Sequence, residues 1–161
     1  MIRAAFLALA LLPAAAQATP AACLVVGITD GDTITARCGE PGSYEQVKVR
    51  IAAIDTPERG QPYGKRAAEA LRDLCMHKQA TIYPRTTDRY KRTVGDVECD
   101  GHDVGMHMVS RGWAWVYVKY AAPSDNPLYK GQDVAQRYRV GLWADTAPVP
   151  PWEWRNARRG Q

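Results

Sequence analysis

The sequence predicts a small closed β barrel that carries helices, a mainly β member of the α+β class. Five short segments between residues 24 and 98 have the composition and alternation of strands, and three others have the period of amphipathic helices. The chain left after an N-terminal leader is one domain's worth, and its order of elements suits a barrel better than a parallel sheet of strand–helix–strand units.

Taken in order, residues 24–29 and 33–37 flank Asp30-Gly31, a dipeptide suited to a two-residue hairpin turn. Residues 46–54 follow the loop 39–43, and there Val47, Val49 and Ile51 alternate with polar residues. After Pro57 the period changes. Residues 63–77 set Ala67, Leu71, Leu74 and Cys75 on one helical face, with Lys65, Arg66, Glu69 and Arg72 outside. Strands follow at 80–85 and 93–98, the second ending in the turn dipeptide Asp100-Gly101. Asp103 is placed to cap a short helix carrying Val104, Met108 and Val109, which Gly112 closes in the left-handed position. Residues 113–120 read as a buried strand. A last helix runs from Pro127 or Leu128 to Val140 and stops at Gly141. Beyond it, Pro148-Val149-Pro150-Pro151 breaks regular structure, so the tail to Gln161 is expected to be extended and near the surface.

The N-terminus has its own character. Arg3 precedes an apolar run over residues 4–12 and small residues ending Ala16-Gln17-Ala18, the pattern of a secretory signal peptide with an A-x-A site. The run is too short for the roughly 20 apolar residues of a spanning helix. Lipidation of Cys23 is disfavoured because Pro20-Ala21-Ala22 lacks the leucine such a site begins with. The expected organisation is a leader over 1–18, one domain over 19–147 and a tail over 148–161. It implies export to the periplasm or the medium, no membrane attachment after cleavage, and a monomer without a stable protein partner. Cleavage after Ala18 leaves 143 of 161 residues with 20 basic and 17 acidic side chains, a net +3 that biases the chain mildly toward anionic partners. Arg85, Arg89, Lys91 and Arg92 crowd one segment; Arg155, Arg158 and Arg159 crowd the tail, where an ordinary solvated surface explains them equally well.

Four cysteines in an exported chain suggest two disulfides with three possible pairings. With Asp30-Gly31 as the turn, facing residues have numbers summing to 61, which sets Cys23 opposite Cys38 and leaves Cys75 for Cys99. No C-x-x-C pair supports zinc instead.

The chemistry is concentrated in Thr29-Asp30-Gly31-Asp32-Thr33 and in Arg50 followed by Asp55-Thr56-Pro57-Glu58. Singly, each has a plain explanation, a hairpin turn and a helix cap. Together they place Asp32, Asp55 and Glu58 near Arg50, and hard oxygen donors of this kind suit calcium or magnesium. Arg92 closes Asp88-Arg89-Tyr90-Lys91-Arg92. Two arginines facing a carboxylate-held cation describe a phosphate site, because guanidinium forks match phosphate oxygens and keep their charge.

These three blocks resemble the active-site blocks of staphylococcal nuclease homologues, and Gly112-Trp113-Ala114-Trp115-Val116-Tyr117 and Gly141-Leu142-Trp143 resemble that family's last strand and last helix end. The resemblance implies a five-stranded OB-fold barrel with three α-helices, one calcium ion, and hydrolysis of DNA and RNA to 3′-phosphate products. It implies Asp32 and Asp55 as calcium carboxylates, Thr56 as a carbonyl ligand and Asp30 just behind the metal. It implies Arg50 and Arg92 on the scissile phosphate and Glu58 as general base, with Tyr90 and one of Tyr117 or Tyr120 against the nucleotide. Arg89 and Lys91 are alternatives to Arg92 within the basic cluster. Only four residues, 59–62, separate Glu58 from Tyr63, a shorter and stiffer loop than the family's. The tail's Trp152 and Trp154 either pack on the barrel, the favoured reading, or extend a nucleic-acid surface. A non-catalytic OB-fold nucleic-acid-binding module is the main alternative function, and a disulfide-stapled structural domain is the third.

Overall fold

The computed structural model describes residues 19–121 and 127–160. The expected leader over residues 1–18 lies outside the described residues, among which no helix is long and apolar enough to cross a membrane. In chain order the elements are β1 (Ala21–Asp30), β2 (Thr33–Cys38), β3 (Glu45–Ile51), β4 (Ile54–Asp55), α1 (Gly64–Cys75), β5 (Gln79–Thr87) and β6 (Thr93–Cys99). There follow β7 (His102–Asp103), α2 (Val104–Ser110), β8 (Trp115–Val116), α3 (Pro127–Arg137), a 3₁₀ turn (Gly141–Ala144) and α4 (Pro151–Arg159).

Five strands close a barrel in the order β3-β2-β1-β5-β6, and β3 returns to β6 in parallel, with Val49 beside Thr93 and Ile51 beside Gly95. β7 extends the sheet at β6, and β4 pairs with β8 outside the ring. Alternation turns Val25, Ile34, Val49, Ile82 and Val97 inward, where Leu71 of α1 and Met108 of α2 cover them; all are buried. The mixed OB-like fold is the one expected.

The cysteines pair as the hairpin suggests, Cys23 with Cys38 and Cys75 with Cys99. The register behind that result differs from expectation. The two-residue turn is Gly31-Asp32, with Asp30 opposite Thr33. Register shifts between Val25 and Gly27 and between Ile28 and Asp30 restore the pairing further on, so Cys23 still faces Cys38. Gly31 is required by proximity, since a Cβ there would lie 2.8 Å from Ala67 Cβ and 2.9 Å from Thr56 Oγ1.

α1 and α2 bury the expected faces, and α2 carries the expected caps, whereas α1 starts after Tyr63 at φ 69° with no side-chain cap. Asp103 Oδ1 accepts from the Met106 N–H at 2.8 Å, and Gly112 takes φ 68° after α2. Three expectations need correction. The strand over 113–120 is only Trp115–Val116, because the chain turns at Tyr117, whose carbonyl accepts from the Tyr120 and Ala121 amides, leaving Val118 and Tyr120 exposed. α3 ends at Arg137 rather than Val140, with Arg139 at φ 52° taking the left-handed position ahead of Gly141. The tail is not extended: α4 makes a fourth helix where three were expected. Pro151 stands at its first position, where no N–H is needed, so the proline run starts a helix instead of preventing one. Glu153 in its first turn and Arg158 and Arg159 in its last suit the helix dipole.

Candidate active site

The hairpin turn, the end of β3 and the end of β4 bring the first two motifs together. Asp32 is buried, and its Oδ2 accepts from the Thr56 N–H at 2.9 Å and the Thr56 hydroxyl at 3.0 Å, while Thr33 Oγ1 donates to Oδ1 at 3.1 Å. Asp30 lies behind it and accepts the Asp32 N–H at 3.2 Å. Register places Arg50 opposite Thr33, at the mouth of the same hairpin. Its Nη1 donates to the Ile51 carbonyl at 2.9 Å, which aims Nη2 between Asp32 Oδ2 and Asp55 Oδ1, 3.1 Å from each. Asp55 is buried on β4 opposite Trp115.

Charge is unbalanced here. Among the described residues, Asp30, Asp32, Asp55 and Glu58 stand against two guanidiniums, Arg50 and Arg155, leaving an excess of two negative charges when all are ionised. Burial and the neighbouring Asp32 charge push the Asp30 carboxyl up to about 6. Burial likewise raises Asp55, against the opposing hydrogen bond from Arg155. A hard divalent cation fits this surplus and these oxygen donors, with the Asp32 and Asp55 carboxylates and the Thr56 carbonyl as the groups able to hold it. Among the described residues, no three acidic, histidine or cysteine side chains are already closed around such a position. Glu58 is instead drawn to Arg155.

Glu58 begins a tightly folded loop. Its N–H donates to Gln61 Oε1 at 3.1 Å, its carbonyl accepts the Gln61 N–H at 2.8 Å, and the Gln61 carbonyl accepts from Gly64 at 3.0 Å, leading into α1. The Glu58 side chain remains partly exposed, and its Oε1 accepts from Arg155 Nη1 at 2.7 Å.

Arg92 stands apart from this group. Its Nε and Nη2 reach Asp88 Oδ2 at 2.8 and 2.7 Å, and its N–H reaches Oδ1 at 3.0 Å, so its recorded ion pair lies within its own loop. The parallel pairing nevertheless sets that loop beside the strand carrying Arg50, with Thr93 next to Val49. Tyr90 is exposed beside the Arg89 and Arg92 guanidiniums, 4.8 and 5.6 Å from its ring centre. Tyr117 stacks on Trp152 at 5.3 Å and 7°, so one ring face is covered; Tyr120 meets its edge at 5.0 Å and stays exposed.

Two residues were missed by sequence reasoning. Arg155 of α4 grips both Asp55 oxygens, at 3.2 and 2.6 Å, as well as Glu58. Buried Gln61 joins the Glu58 N–H to the Val149 carbonyl, to which its Nε2 donates at 2.6 Å. Neither belongs to a motif. The only signal was the arginine-rich tail, and a solvated surface explained it equally well.

Residues 48–145 match the family model described as staphylococcal nuclease homologue. A Haemophilus influenzae protein named an uncharacterized endonuclease is 38% identical over 138 residues, covering 85% of this chain and 74% of its own. A Shigella flexneri protein named micrococcal nuclease is 36% identical over 144 residues, covering 84% and 80%. A staphylococcal-like nuclease of Arabidopsis thaliana is 40% identical over 116 residues, covering 72% of this chain and 35% of its own. With the residues of the first two motifs assembled on an OB-like barrel and these matches spanning most of it, the chain belongs to the staphylococcal nuclease homologue family.

Proposed function

We propose that this chain is an exported calcium-dependent nuclease that hydrolyses phosphodiester bonds of DNA and RNA and leaves 3′-phosphate ends. The observation carrying this reading is the buried Asp32–Asp55 pair, which shares a single guanidinium nitrogen of Arg50, with Glu58 at its rim. Asp32, Asp55 and the Thr56 carbonyl would hold a calcium ion, which when bound would supply positive charge where negative charge grows on the phosphoryl oxygens. The protein's own residues do the rest. Arg50 presents a fixed, permanently charged donor to the phosphate. Glu58 accepts the proton of the attacking water on Oε2, since Oε1 already takes the Arg155 N–H. The water oxygen bonds to phosphorus, the P–O5′ bond breaks, and the 5′-oxygen leaves and takes up a proton. Arg92 and Tyr90, on the neighbouring loop, meet the phosphate and nucleotide; Tyr120, with its exposed ring, is the better placed of the two later tyrosines for stacking.

Two disulfides support export, to the periplasm or the medium, because such bonds persist in oxidising compartments. Chain starting at Thr19 is to be incubated with single- and double-stranded DNA and with RNA, in calcium, magnesium or chelator. Cleavage in calcium alone is expected, slowed about 10²- to 10⁴-fold in Glu58→Ser and weakened in Arg92→Ala. Folded protein that binds nucleic acid and cuts none of it in any metal would replace this reading with a non-catalytic binding module.

A further inference from the structure

The C-terminal segment is tied to the barrel rim at three points, two of them involving the Glu58 loop. Trp152 stacks on Tyr117 and meets the edge of Trp115 at 5.8 Å, which seats the helix against the β4–β8 pair. The Val149 carbonyl, just before the helix, accepts from Gln61, whose other end holds the Glu58 N–H. Arg155, one turn beyond Trp152, reaches Asp55 and Glu58 across sequence separations of 100 and 97 residues. Both the backbone and the carboxylate of Glu58 are thus tied to the tail.

We propose that Arg155 is a positioning residue of the active site, its Nη1 bridging Glu58 Oε1 and Asp55 Oδ1 so as to fix the base relative to the metal carboxylate. The inference rests on the nuclease reading above. Glu58 needs such a constraint: its side chain is 43% exposed, and among the described residues Arg155 is its carboxylate's one hydrogen-bond and ion-pair partner. Arg155 can supply one because its fork takes Asp55 bidentately while the same Nη1 also serves Glu58, an arrangement a point charge cannot copy in full. A guanidinium also keeps its charge throughout the working pH range. The grip remains at any working pH. Its charge also faces the carboxylates that would hold calcium, so positioning of the base and attraction of the cation respond to Arg155 with opposite signs.

That opposition supplies the test. Arg155→Met keeps the aliphatic stem, Arg155→Lys keeps the charge, and Arg159→Ala, on the same helix, is the control. Each is assayed for kcat and KM on a DNA oligonucleotide at saturating calcium, and for calcium affinity by calorimetry without substrate. Arg155→Met should lower kcat about 10- to 100-fold with KM nearly unchanged, while binding calcium at least as tightly as the unaltered chain. Arg155→Lys should recover part of kcat, and Arg159→Ala should match the unaltered chain in both assays. Unchanged or raised kcat in Arg155→Met overturns the proposal, as does weaker calcium binding with normal kcat at saturation. If the unaltered chain cleaves nothing, the nuclease reading and this inference fall together; if it cleaves and Arg155→Met equals it, only this inference falls.

Discussion

Arg50 Nη2 stands 3.1 Å from both Asp32 and Asp55, so removing it leaves two buried carboxylates facing each other without their shared cation. Arg50→Met should therefore cost about 3 kcal/mol or more in urea denaturation without calcium, with part of the loss recovered when calcium is added. A loss under about 1 kcal/mol would show that solvent already balances these charges. Asp88 gives a test through pH. Although burial opposes it, hydrogen bonds from the Arg92 and Tyr90 amides and the Arg92 guanidinium hold this carboxyl below its ordinary value of 3.8. Because the folded value is depressed, its stabilising contribution is present above the ordinary value and is lost as pH falls through the folded one. The melting-temperature gap between the unaltered chain and Asp88→Asn should shrink as pH drops below about 4. A constant gap would mean the Asp88 contacts are not those of a carboxylate. The residues of the first two motifs were legible in sequence because the two blocks, taken together, concentrate carboxylates near Arg50, although each alone reads as a turn or a cap. Arg155 was not, because its partners lie about a hundred positions away and only the folded chain joins them.

At the scale of elements, the strands and the first two helices could be read from alternation, helical period and capping, since each is decided by neighbours in the chain. The failures share a cause. Residues 113–120 have strand composition, but the backbone turns at Tyr117 after two paired residues; the prolines before α4 looked like breakers, yet one occupies the position where a helix tolerates proline. The hairpin turn was misplaced by one residue, and two register shifts hid the error at the cysteines. Cys75–Cys99 joins the end of α1 to the end of β6 across a separation of 24 residues, so it constrains the helix that carries Ala67 and Leu71 against the barrel. Replacing both cysteines with serine should cost about 2 to 5 kcal/mol in denaturant unfolding, and an unchanged midpoint would show that packing alone fixes the helix.

Over the whole molecule, the barrel brings motifs from residues 30–32, 50 and 55–58 to one rim, and the C-terminal helix closes over it from the far end of the chain. The barrel and its carboxylate group were foreseeable from motif order; the closure by the tail was not. The reading proposed for this rim names which bond breaks: water attacks phosphorus with Glu58 as base, and the 5′-oxygen departs. Cleaving a defined DNA oligonucleotide in ¹⁸O-labelled water with calcium, and weighing the products, reads this directly. One labelled oxygen in a new 3′-phosphate, with an unlabelled 5′-hydroxyl on the other fragment, is the expected result. Label in a 5′-phosphate, or no cleavage by folded protein, would contradict it.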